Sequence, residues 1–335
     1  MFITLPFRNE YFRVVHDLWT RCIPASGGRL HIFPAELMET AIFGSMLFDY
    51  DGLQIAWECD NVSGEKIRPV GLIHVALVPK PVGDDQNTLV GVVCLMLTVP
   101  DCPDAAIVRK TLLDAGEQYA IGHGIRTIYG GAFHDRIPFY CGFYAAGDAV
   151  GVLASDNEVF ELFKQNGYSI ESNVTQMQQP LQKYMPKMTM KSVVWSSKLN
   201  VQFNDAPKPQ SWWDAQRLSR HFWLEAIATT KQIPNTQVAN ALVCIPSTNK
   251  VIDGVETGII RGNVAELIDA KVSPELRKKG IMTYLLSKLL TELTRKYEVN
   301  EIKTQVSTTY KEFIPFLTTM NWKETDNGAI FVKEV

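Results

Sequence analysis

The segment from Asn263 to Glu298 constrains the fold more than any other part of this sequence. A strand-like run, Val264–Val272, leads into a short basic turn, and a long helical pattern begins after Gly280. A turn of this kind directs backbone N–H groups and the positive end of a helix dipole toward one point, which suits a phosphate or pyrophosphate. Gly280 has no Cβ atom, so a ligand could approach the backbone closely there. The sequence therefore predicts an anion-binding loop, here called the cradle loop (Ser273–Gly280).

The helix that follows the cradle loop has one continuous apolar stripe. Apolar residues recur every four positions, as expected for a buried helix face: Ile281, Leu285, Leu289 and Leu293. Arg277, Lys278 and Lys279 add positive charge beside the predicted anion site. The alternative is an ordinary strand-to-helix turn whose basic residues face solvent.

Length and composition fit two domains of ordinary size. The chain has 335 residues, and single domains commonly have about 100–200. Its net charge of −3 gives no electrostatic footprint for nucleic acid or for an anionic membrane. No apolar run approaches the ~18–20 residues that span a bilayer, and the N-terminus lacks the pattern of a secretory signal. We therefore expect a cytoplasmic protein, either a monomer or a homodimer.

Neither the cysteines nor the histidines have the spacing of a metal site. There are six cysteines, without a C-x-x-C pair, and several lie in apolar runs where buried thiols in a reducing compartment are expected. They are Cys22, Cys59, Cys94, Cys102, Cys141 and Cys244. The histidines that we interpret as ordinary core or surface residues are His16, His31, His74, His123 and His221.

The two halves of the chain have similar predicted layouts, separated by a polar, Gln-rich stretch between Ser172 and Lys191. In the first half we expect helices after Arg8 and near Pro34, strands at 53–58, 70–78 and 89–99, a helix through Val108–Tyr119, a strand at 125–129 and a helix at 158–166. In the second half we expect a strand at 193–201, a helix at 212–228, strands at 237–245, 254–261 and 264–272, the cradle helix, a strand at 301–306, a helix at 310–319 and a final hairpin. Asp326-Asn327-Gly328 is a turn signal for that hairpin.

The run Arg277-Lys-Lys-Gly280-Ile-Met282 resembles the Arg/Gln-x-x-Gly-x-Gly/Ala signature of the GNAT N-acetyltransferases. Met282 departs from the usual glycine or alanine. The resemblance implies that the loop amides hold the pyrophosphate of acetyl-CoA, which would be the acyl donor. The cofactor-binding residues that it implies are Ala270, Lys271, Val272, Arg277, Lys278, Lys279, Gly280, Ile281, Met282 and Thr283.

The whole chain resembles tandem GNAT proteins, and in particular two-domain bacterial acetyltransferases of planctomycete-like genomes. Runs that carry this likeness are Pro138–Asp148, Gly151–Asp156, Ser211–Trp213 and Pro274–Gly280. The fold class implied is α/β (α+β), with two tandem GNAT domains, each a mixed, mostly antiparallel twisted sheet flanked by helices. We expect an N-terminal degenerate domain at 1–178, a linker at 179–191 and a C-terminal domain with the acetyl-CoA site at 192–335.

The first half lacks the features of a second cradle. When Leu112-Leu113 is aligned with Leu285-Leu286, Asp104 takes the place of the motif's arginine and Ile107 that of its glycine. An acidic group repels a pyrophosphate, and a β-branched side chain blocks close approach to the backbone. This domain is expected to support the fold or to supply a wall of the substrate site.

Two strand carboxylates are candidates for the general base that deprotonates an amine. Glu266 lies eleven residues before Arg277, the spacing of the catalytic glutamate in histone-acetylating GNAT members that this chain resembles. Asp269 is the other candidate, and strand alternation places it on the opposite face. The alternative is that Glu266 pairs with a basic residue and serves the fold only.

The general acid that protonates the leaving thiolate is less defined. Many family members have a tyrosine where this chain has Leu317, so Tyr310 is the candidate substitute, and a thiolate could also leave unaided. Pro315 should kink the surrounding helix or delay its start. A backbone N–H near Val272 is the expected donor to the oxyanion.

The long segment between Gly130 and Gly151 is expected either to recognise the substrate or to pack between the domains. Its polar and aromatic candidates are His134, Asp135, Arg136, Tyr140, Tyr144 and Asp148.

These features predict an acetyl-CoA-dependent N-acetyltransferase that acts on a primary amine of a small molecule or peptide, by direct attack in a ternary complex. One alternative is a catalytically weak acyl-CoA-binding sensor or scaffold. Another is a transferase that uses aminoacyl-tRNA, which would need a basic surface and an inserted helical arm, and the sequence indicates neither.

Overall fold

The chain forms two compact units. The computed structural model describes residues 1–26, 30–31, 35–45, 47–79, 89–102, 104–133, 139–140, 149–187, 189–205, 222–232, 236–252 and 255–335. The first unit contains Met1–Ala145, Ala149–Val174 and Asp326–Val335, and the second contains Thr175–Thr325. The C-terminal residues thus belong to the first unit, whereas the sequence prediction placed them in the second domain.

The first unit is a mixed sheet with helices. Its strands are β1 (Phe2–Pro6), β2 (Leu53–Cys59), β3 (Lys66–Pro79), β4 (Leu89–Thr98), β5 (Thr127–Gly130), β6 (Ala132–Phe133), β7 (Ala149–Val150) and β8 (Val152–Leu153). Its helices are α1 (Phe12–Cys22), α2 (Ala35–Met38), α3 (Ala105–Gly122) and α4 (Asn157–Gln165). Strands β1 to β4 pair antiparallel in chain order, and β5 joins β4 in parallel.

The last strand of the chain completes this first sheet. Strand β17 (Lys323–Glu334) pairs antiparallel with β5, where Phe331 lies opposite Gly130, and with β8, where Gly328 lies opposite Leu153. Phe331 is fully buried and stacks on Phe163 at a centroid distance of 5.3 Å. The C-terminal strand is therefore part of the first unit's core.

In the second unit the strands pair in the order β9-β16-β15-β12-β11-β10, and β9 begins in residues that belong to the first unit. The strands are β9 (Ser169–Pro180), β10 (Leu199–Asn204), β11 (Phe222–Thr230), β12 (Gln237–Ile245), β15 (Val264–Val272) and β16 (Glu301–Ser307), with a separate hairpin of β13 (Ser247–Ile252) and β14 (Val255–Arg261). The helices described here are α5 (Met190–Lys198), α6 (Ile281–Lys296) and α7 (Phe313–Thr319). Both units are thus mixed, mostly antiparallel sheets with helices, which confirms the predicted fold class.

The apolar stripe of α6 forms the centre of the second unit's core. Leu285, Leu289 and Leu293 are all fully buried, and they belong to a cluster that includes Ala241 and Val243 of β12. Each leucine buried in this way contributes roughly 1.5–3 kcal/mol relative to an exposed one. The predicted periodicity is therefore confirmed, and it fixes α6 against the sheet.

Two predicted elements of the second half are wrong. Residues 222–228 form strand β11 rather than a helix, because β10 and β12 pair with it on both sides and override its helix-favouring residues; residues 206–221 lie outside the described part. The predicted strand at 193–201 is largely helix α5, whose N-terminus has a capping box between Thr189 and Ser192.

The predicted hairpin and linker also differ from the structure. Strand β17 runs without a turn through Gly328, where an added Cβ would lie 2.4 Å from the Val152 carbonyl oxygen. This glycine thus permits close approach of β8 and does not form a turn. Strand β9 occupies Ser169–Pro180, part of the segment interpreted as a linker, because pairing inside a sheet overrides its polar composition.

Helix α7 begins at Phe313, so Pro315 lies in its first turn, where no helical hydrogen bond is lost. The predicted late start of this helix is confirmed.

In the described part of the chain, no helix is long and apolar enough to cross a membrane. The five cysteines that the structure describes are buried, and no disulfide joins them; Cys141 lies outside the described residues.

An aromatic cluster in the first unit encloses a buried histidine. The Nδ1 atom of His74 lies 2.9 Å from the hydroxyl oxygen of Tyr140, and the imidazole packs against Phe48 and Phe139. Tyr140 has a positive φ of 64° and stacks on Trp19. Burial lowers the pKa of His74 to about 3. The folded unit therefore holds this imidazole neutral.

This neutral imidazole predicts a loss of stability in acid. The unfolded chain protonates His74 below its ordinary pKa of 6.5, whereas the folded unit does so only near pH 3. Between these values the unfolded state binds more protons, so the free energy of unfolding falls as the pH decreases, by up to about 1.4 kcal/mol per pH unit. Urea titrations at pH 7 and pH 5 should show a smaller difference for His74→Phe than for the wild type. An equal difference in both proteins would contradict this account.

Candidate active site

The cradle loop has the predicted strand–turn–helix geometry. Strand β15 ends at Val272, a 3-10 turn covers Pro274–Leu276, and α6 begins directly after Gly280. Two residues of the loop have left-handed backbone, Lys278 with φ 61° and Gly280 with φ 88°. These two conformations reverse the chain within a few residues, so that the helix N-terminus lies at the end of β15.

The first turn of α6 presents backbone donors. The first helical hydrogen bond runs from the Tyr284 N–H to the Gly280 carbonyl, at 3.1 Å. The N–H groups of Ile281, Met282 and Thr283 precede it and have no acceptor within the helix. No side chain caps this N-terminus. Together with the helix dipole, these groups make the end of α6 suitable for an anion.

Gly280 serves helix packing. A Cβ atom at this position would lie 2.9 Å from the Lys191 Cβ atom and 3.0 Å from the Ser192 nitrogen, both in α5. The space that a side chain would take is occupied by α5, and the close approach of a ligand to the Gly280 backbone stays a prediction. The positive φ requires glycine independently of this contact.

The basic side chains of the loop have different surroundings. The Arg277 Nε atom donates to the Val272 carbonyl at 3.4 Å, and Lys278 forms an exposed ion pair with Glu312 at 2.5 Å. The side chain of Lys279 is exposed, and its backbone carbonyl accepts a hydrogen bond from the Trp195 Nε1 atom at 2.7 Å. Thus Arg277 and Lys278 have partners at the surface, whereas the Lys279 side chain is exposed.

Strands β15 and β16 pair at one end only. The parallel register runs from Val264 opposite Glu301 to Glu266 opposite Lys303 and stops there, although both strands continue. One further contact joins them, from the Thr304 hydroxyl to the Leu267 carbonyl at 2.9 Å. Beyond it, the β15 edge that includes Ala270, Lys271 and Val272 is not paired with β16. The divergence opens a strip of backbone that leads to the cradle loop.

A β-bulge interrupts β15 where it pairs with β12. Leu242 lies opposite Asp269 and Val243 lies opposite Leu267, so the intervening Ile268 is an extra residue. Sequence periodicity gave no indication of this irregularity. The bulge shifts the alternation of faces by one residue.

Because of this shift, Glu266 and Asp269 lie on the same face of β15. Leu267, Ala270 and Val272 all pack on the hydrophobic cluster beneath α6, so the two carboxylates face the other way. The expectation that strict alternation separates them is therefore wrong. The bulge brings both candidate bases to the side of the sheet opposite α6.

The two carboxylates have different environments. Glu266 is 2% exposed. Its register partner in β16 is Lys303, and this is the last pair before the two strands diverge. Asp269 is less buried and forms an ion pair with Lys271 at 2.5 Å. Glu225 of β11 lies on the same face, because its register partner Leu242 in β12 is also the partner of Asp269. Asp269 is thus held by a cation, whereas Glu266 stands at the point of divergence.

The structure places the candidate acid outside the core. Tyr310 is about half exposed and lies in the turn after β16, where its N–H donates to the Ser307 carbonyl. Leu317 is fully buried in the hydrophobic cluster, so this position serves packing.

The sequence analysis did not identify Tyr284, which is buried in the first turn of α6 and whose pKa is raised by that burial. It also missed the contact of Trp195 with the loop, for which the sequence contains no local signal.

The first unit has no comparable loop in its described part. Asp104 is the N-cap residue of α3, and Ile107 is 57% exposed on that helix; Pro103 lies outside the described residues. Of the candidate recognition residues, Tyr140 is buried in the aromatic cluster, so it packs inside the first unit. Those that lie outside the described residues are His134, Asp135, Arg136, Tyr144 and Asp148. No group of His, Cys, Asp and Glu among the described residues is arranged to hold a metal ion.

Solved structures match the whole chain. A tandem GNAT protein from the clavulanic acid biosynthesis pathway matches with a TM-score of 0.65 and 14% identity, over 100% of this chain and 98% of that one. A GCN5-related N-acetyltransferase from Sphaerobacter thermophilus matches with a TM-score of 0.59 and 12% identity, over 99% and 95%. The chain has the tandem GNAT fold. No protein-family model and no curated protein matches the sequence.

A third match is a protein solved with a bound acyl-CoA. N-myristoyltransferase from Saccharomyces cerevisiae, solved with bound myristoyl-CoA, has a TM-score of 0.56 and 8% identity, over 99% of this chain and 78% of that one. At these identities the matches show the fold alone. The resemblance to planctomycete-like proteins stays a prediction.

The geometry of Gly280 predicts a clear difference between two glycine substitutions. Gly280→Ala should lower the free energy of unfolding by at least about 1–2 kcal/mol, because alanine disfavours positive φ and its Cβ would press on α5. Gly122→Ala is the control, since its Cβ would meet nothing within 4 Å and its backbone is not left-handed. It should be neutral or stabilising by up to about 1 kcal/mol. Chemical denaturation of both variants measures the difference, and equal effects would contradict it.

Proposed function

We propose that the second unit is an N-acetyltransferase that binds acetyl-CoA at the cradle loop. It transfers the acetyl group to a primary amine of a small molecule or peptide by direct attack in a ternary complex. The observation that carries the proposal is the arrangement along β15. The anion-binding helix terminus lies at one end, Glu266 at the other, and the strand edge beyond Leu267 is open between them.

This arrangement suits an elongated ligand with an anionic group at one end and its reactive group at the other. In the proposal, the N–H groups of Gly280 to Thr283 hold the pyrophosphate. The backbone edge at Ala270 and Lys271, together with the Val272 N–H, pairs with the amides of the pantetheine arm as an added strand would, while the Val272 carbonyl accepts from Arg277. Exposed Lys279 adds positive charge beside the pyrophosphate.

The chemistry assigns Glu266 as the general base. It removes a proton from the acceptor amine, directly or through a water molecule, and the amine nitrogen then attacks the thioester carbonyl carbon. The C–S bond breaks and the CoA thiolate leaves, either unaided or protonated by Tyr310. A backbone N–H near Val272 stabilises the oxyanion. The described part of the first unit has no comparable loop, so one acetyl-CoA site per chain is expected, in a monomer or a homodimer.

The cradle site predicts a charge effect on binding. Calorimetric titration of the wild type should show one acetyl-CoA site per chain, and Lys279→Glu should weaken binding about tenfold, because it places a carboxylate beside a pyrophosphate. The loss should shrink at high salt. Lys323→Glu makes the same change in charge at the exposed start of β17 and should bind as the wild type does. Equal affinity of all three proteins would refute the assignment of the loop.

The assignment of the base predicts a loss of rate without a loss of binding. Glu266→Gln should bind acetyl-CoA normally but release thiol at least about 100-fold more slowly with any amine that the wild type acetylates. Asp269→Asn should have a much smaller effect, since Lys271 already holds this carboxylate. If Asp269→Asn slows thiol release more than Glu266→Gln does, Asp269 is the general base instead. Binding without turnover of any amine would instead favour an acyl-CoA sensor.

A further inference from the structure

The Lys279–Gly280 peptide is held by a side chain from another helix. The indole Nε1 atom of Trp195, in α5, donates to the Lys279 carbonyl at 2.7 Å. This carbonyl belongs to the peptide between the two left-handed residues of the loop, Lys278 and Gly280. On its C-terminal side the peptide meets Gly280, and because glycine adopts either sign of φ, the chain itself constrains the peptide's orientation little there. A contact to its carbonyl therefore decides which way the peptide faces.

The orientation of the carbonyl also fixes the following N–H group. No peptide bond of the described chain is cis. In a planar trans peptide the C=O and the N–H point in opposite directions. Because the Lys279 carbonyl points to Trp195, the Gly280 N–H points away from α5. No acceptor among the described residues contacts this N–H.

Helix α5 is itself anchored, so it can act as a fixed support. The Thr189 hydroxyl accepts a hydrogen bond from the Ser192 N–H at 3.1 Å, and the Thr189 N–H donates to the Ser192 hydroxyl at 2.7 Å. The Ser287 hydroxyl of α6 donates to the Lys187 carbonyl, just before α5, at 2.8 Å. The close approach of Lys191 to Gly280 completes the contact between the two helices. These contacts hold α5, and with it Trp195, against the N-terminal part of α6.

We infer that Trp195 is a positioning residue for acyl-CoA binding, which orients the Lys279–Gly280 peptide so that its N–H donates to the pyrophosphate and its carbonyl stays away from it. The inference rests on the proposed cradle site. Without the indole donor, the peptide can rotate and present its carbonyl, a partial negative charge, to the anion. Trp195 acts through the backbone and does not touch the ligand.

The test compares two substitutions of tryptophan by phenylalanine. Trp195→Phe keeps a ring but removes the donor, and it should raise the Kd for CoA about 10- to 100-fold, the range for one lost hydrogen bond to a charged group. Trp322→Phe is the matched control, because the buried Trp322 indole nitrogen has no hydrogen-bond partner. It should bind CoA as the wild type does. Calorimetry gives the affinities, and thermal unfolding gives the stability of each variant.

A second ligand separates this role from a general structural one. 3′-Dephospho-CoA keeps the pyrophosphate but lacks the 3′-phosphate, so Trp195→Phe should weaken both ligands by the same factor. Trp195→His, which keeps a ring N–H, should recover part of the affinity. Wild-type affinity in Trp195→Phe, or a loss confined to CoA, would overturn the inference.

Two further outcomes are informative. If Trp195→Phe and Trp195→His both fail to fold while Trp322→Phe folds, Trp195 serves the fold and the inference is wrong. If the wild-type chain itself does not bind CoA, the proposed function fails, and the inference fails with it. Normal wild-type binding with an unaffected Trp195→Phe overturns the inference alone.

Discussion

The left-handed backbone at Gly280 is the constraint on which the candidate site depends. With φ of 88°, this residue ends the cradle loop and starts α6 within one position. Its missing Cβ lets the backbone of Lys191 and Ser192 approach to about 3 Å of the space that a side chain would fill. A residue with a Cβ atom would lower the free energy of unfolding by about 1–2 kcal/mol through the left-handed backbone alone. The helix terminus, the loop and α5 are thereby fixed as one assembly.

Strand β15 connects this assembly to the candidate base by departing twice from regular sheet structure. It leaves β16 after Glu266, which opens a backbone edge, and it carries an extra residue, Ile268, against β12. The first departure leaves the β15 edge beyond Leu267 unpaired with β16, and the second turns Glu266 and Asp269 to the same side. Irregular pairing thus creates the site, whereas the regular part of the sheet provides the core that supports it.

The first unit is also a mixed sheet with helices, but its described part has no loop that resembles the cradle loop. Its α3 begins at Asp104, an acidic N-cap residue, and its interior is occupied by aromatic rings around a neutral His74. It depends on the end of the chain for its sheet, because β17 adds to β5 and β8. Removal of this strand would expose Phe163, on which Phe331 stacks, and the edge of β5. The first unit is therefore not complete in the N-terminal half of the sequence.

The sequence by itself determined the elements whose signals are local. The four-residue spacing of Leu285, Leu289 and Leu293 predicted α6, and the strand, basic turn and glycine before it predicted the cradle loop. The tandem layout and the position of Glu266 at a strand also followed from local patterns. These signals depend on periodicity and on backbone preferences that each segment carries with it.

Only the tertiary structure decided the features that depend on partners distant in the chain. Residues 222–228 form a strand because they pair with β10 and β12. The chain runs straight through Gly328, where a turn was predicted, because β8 approaches closely there. The bulge at Ile268 and the divergence of β15 from β16 arise from the registers of neighbouring strands. The contact of Trp195 with Lys279 joins residues that are 84 positions apart. No local pattern encodes such pairings, because they are selected by the packing of the whole unit.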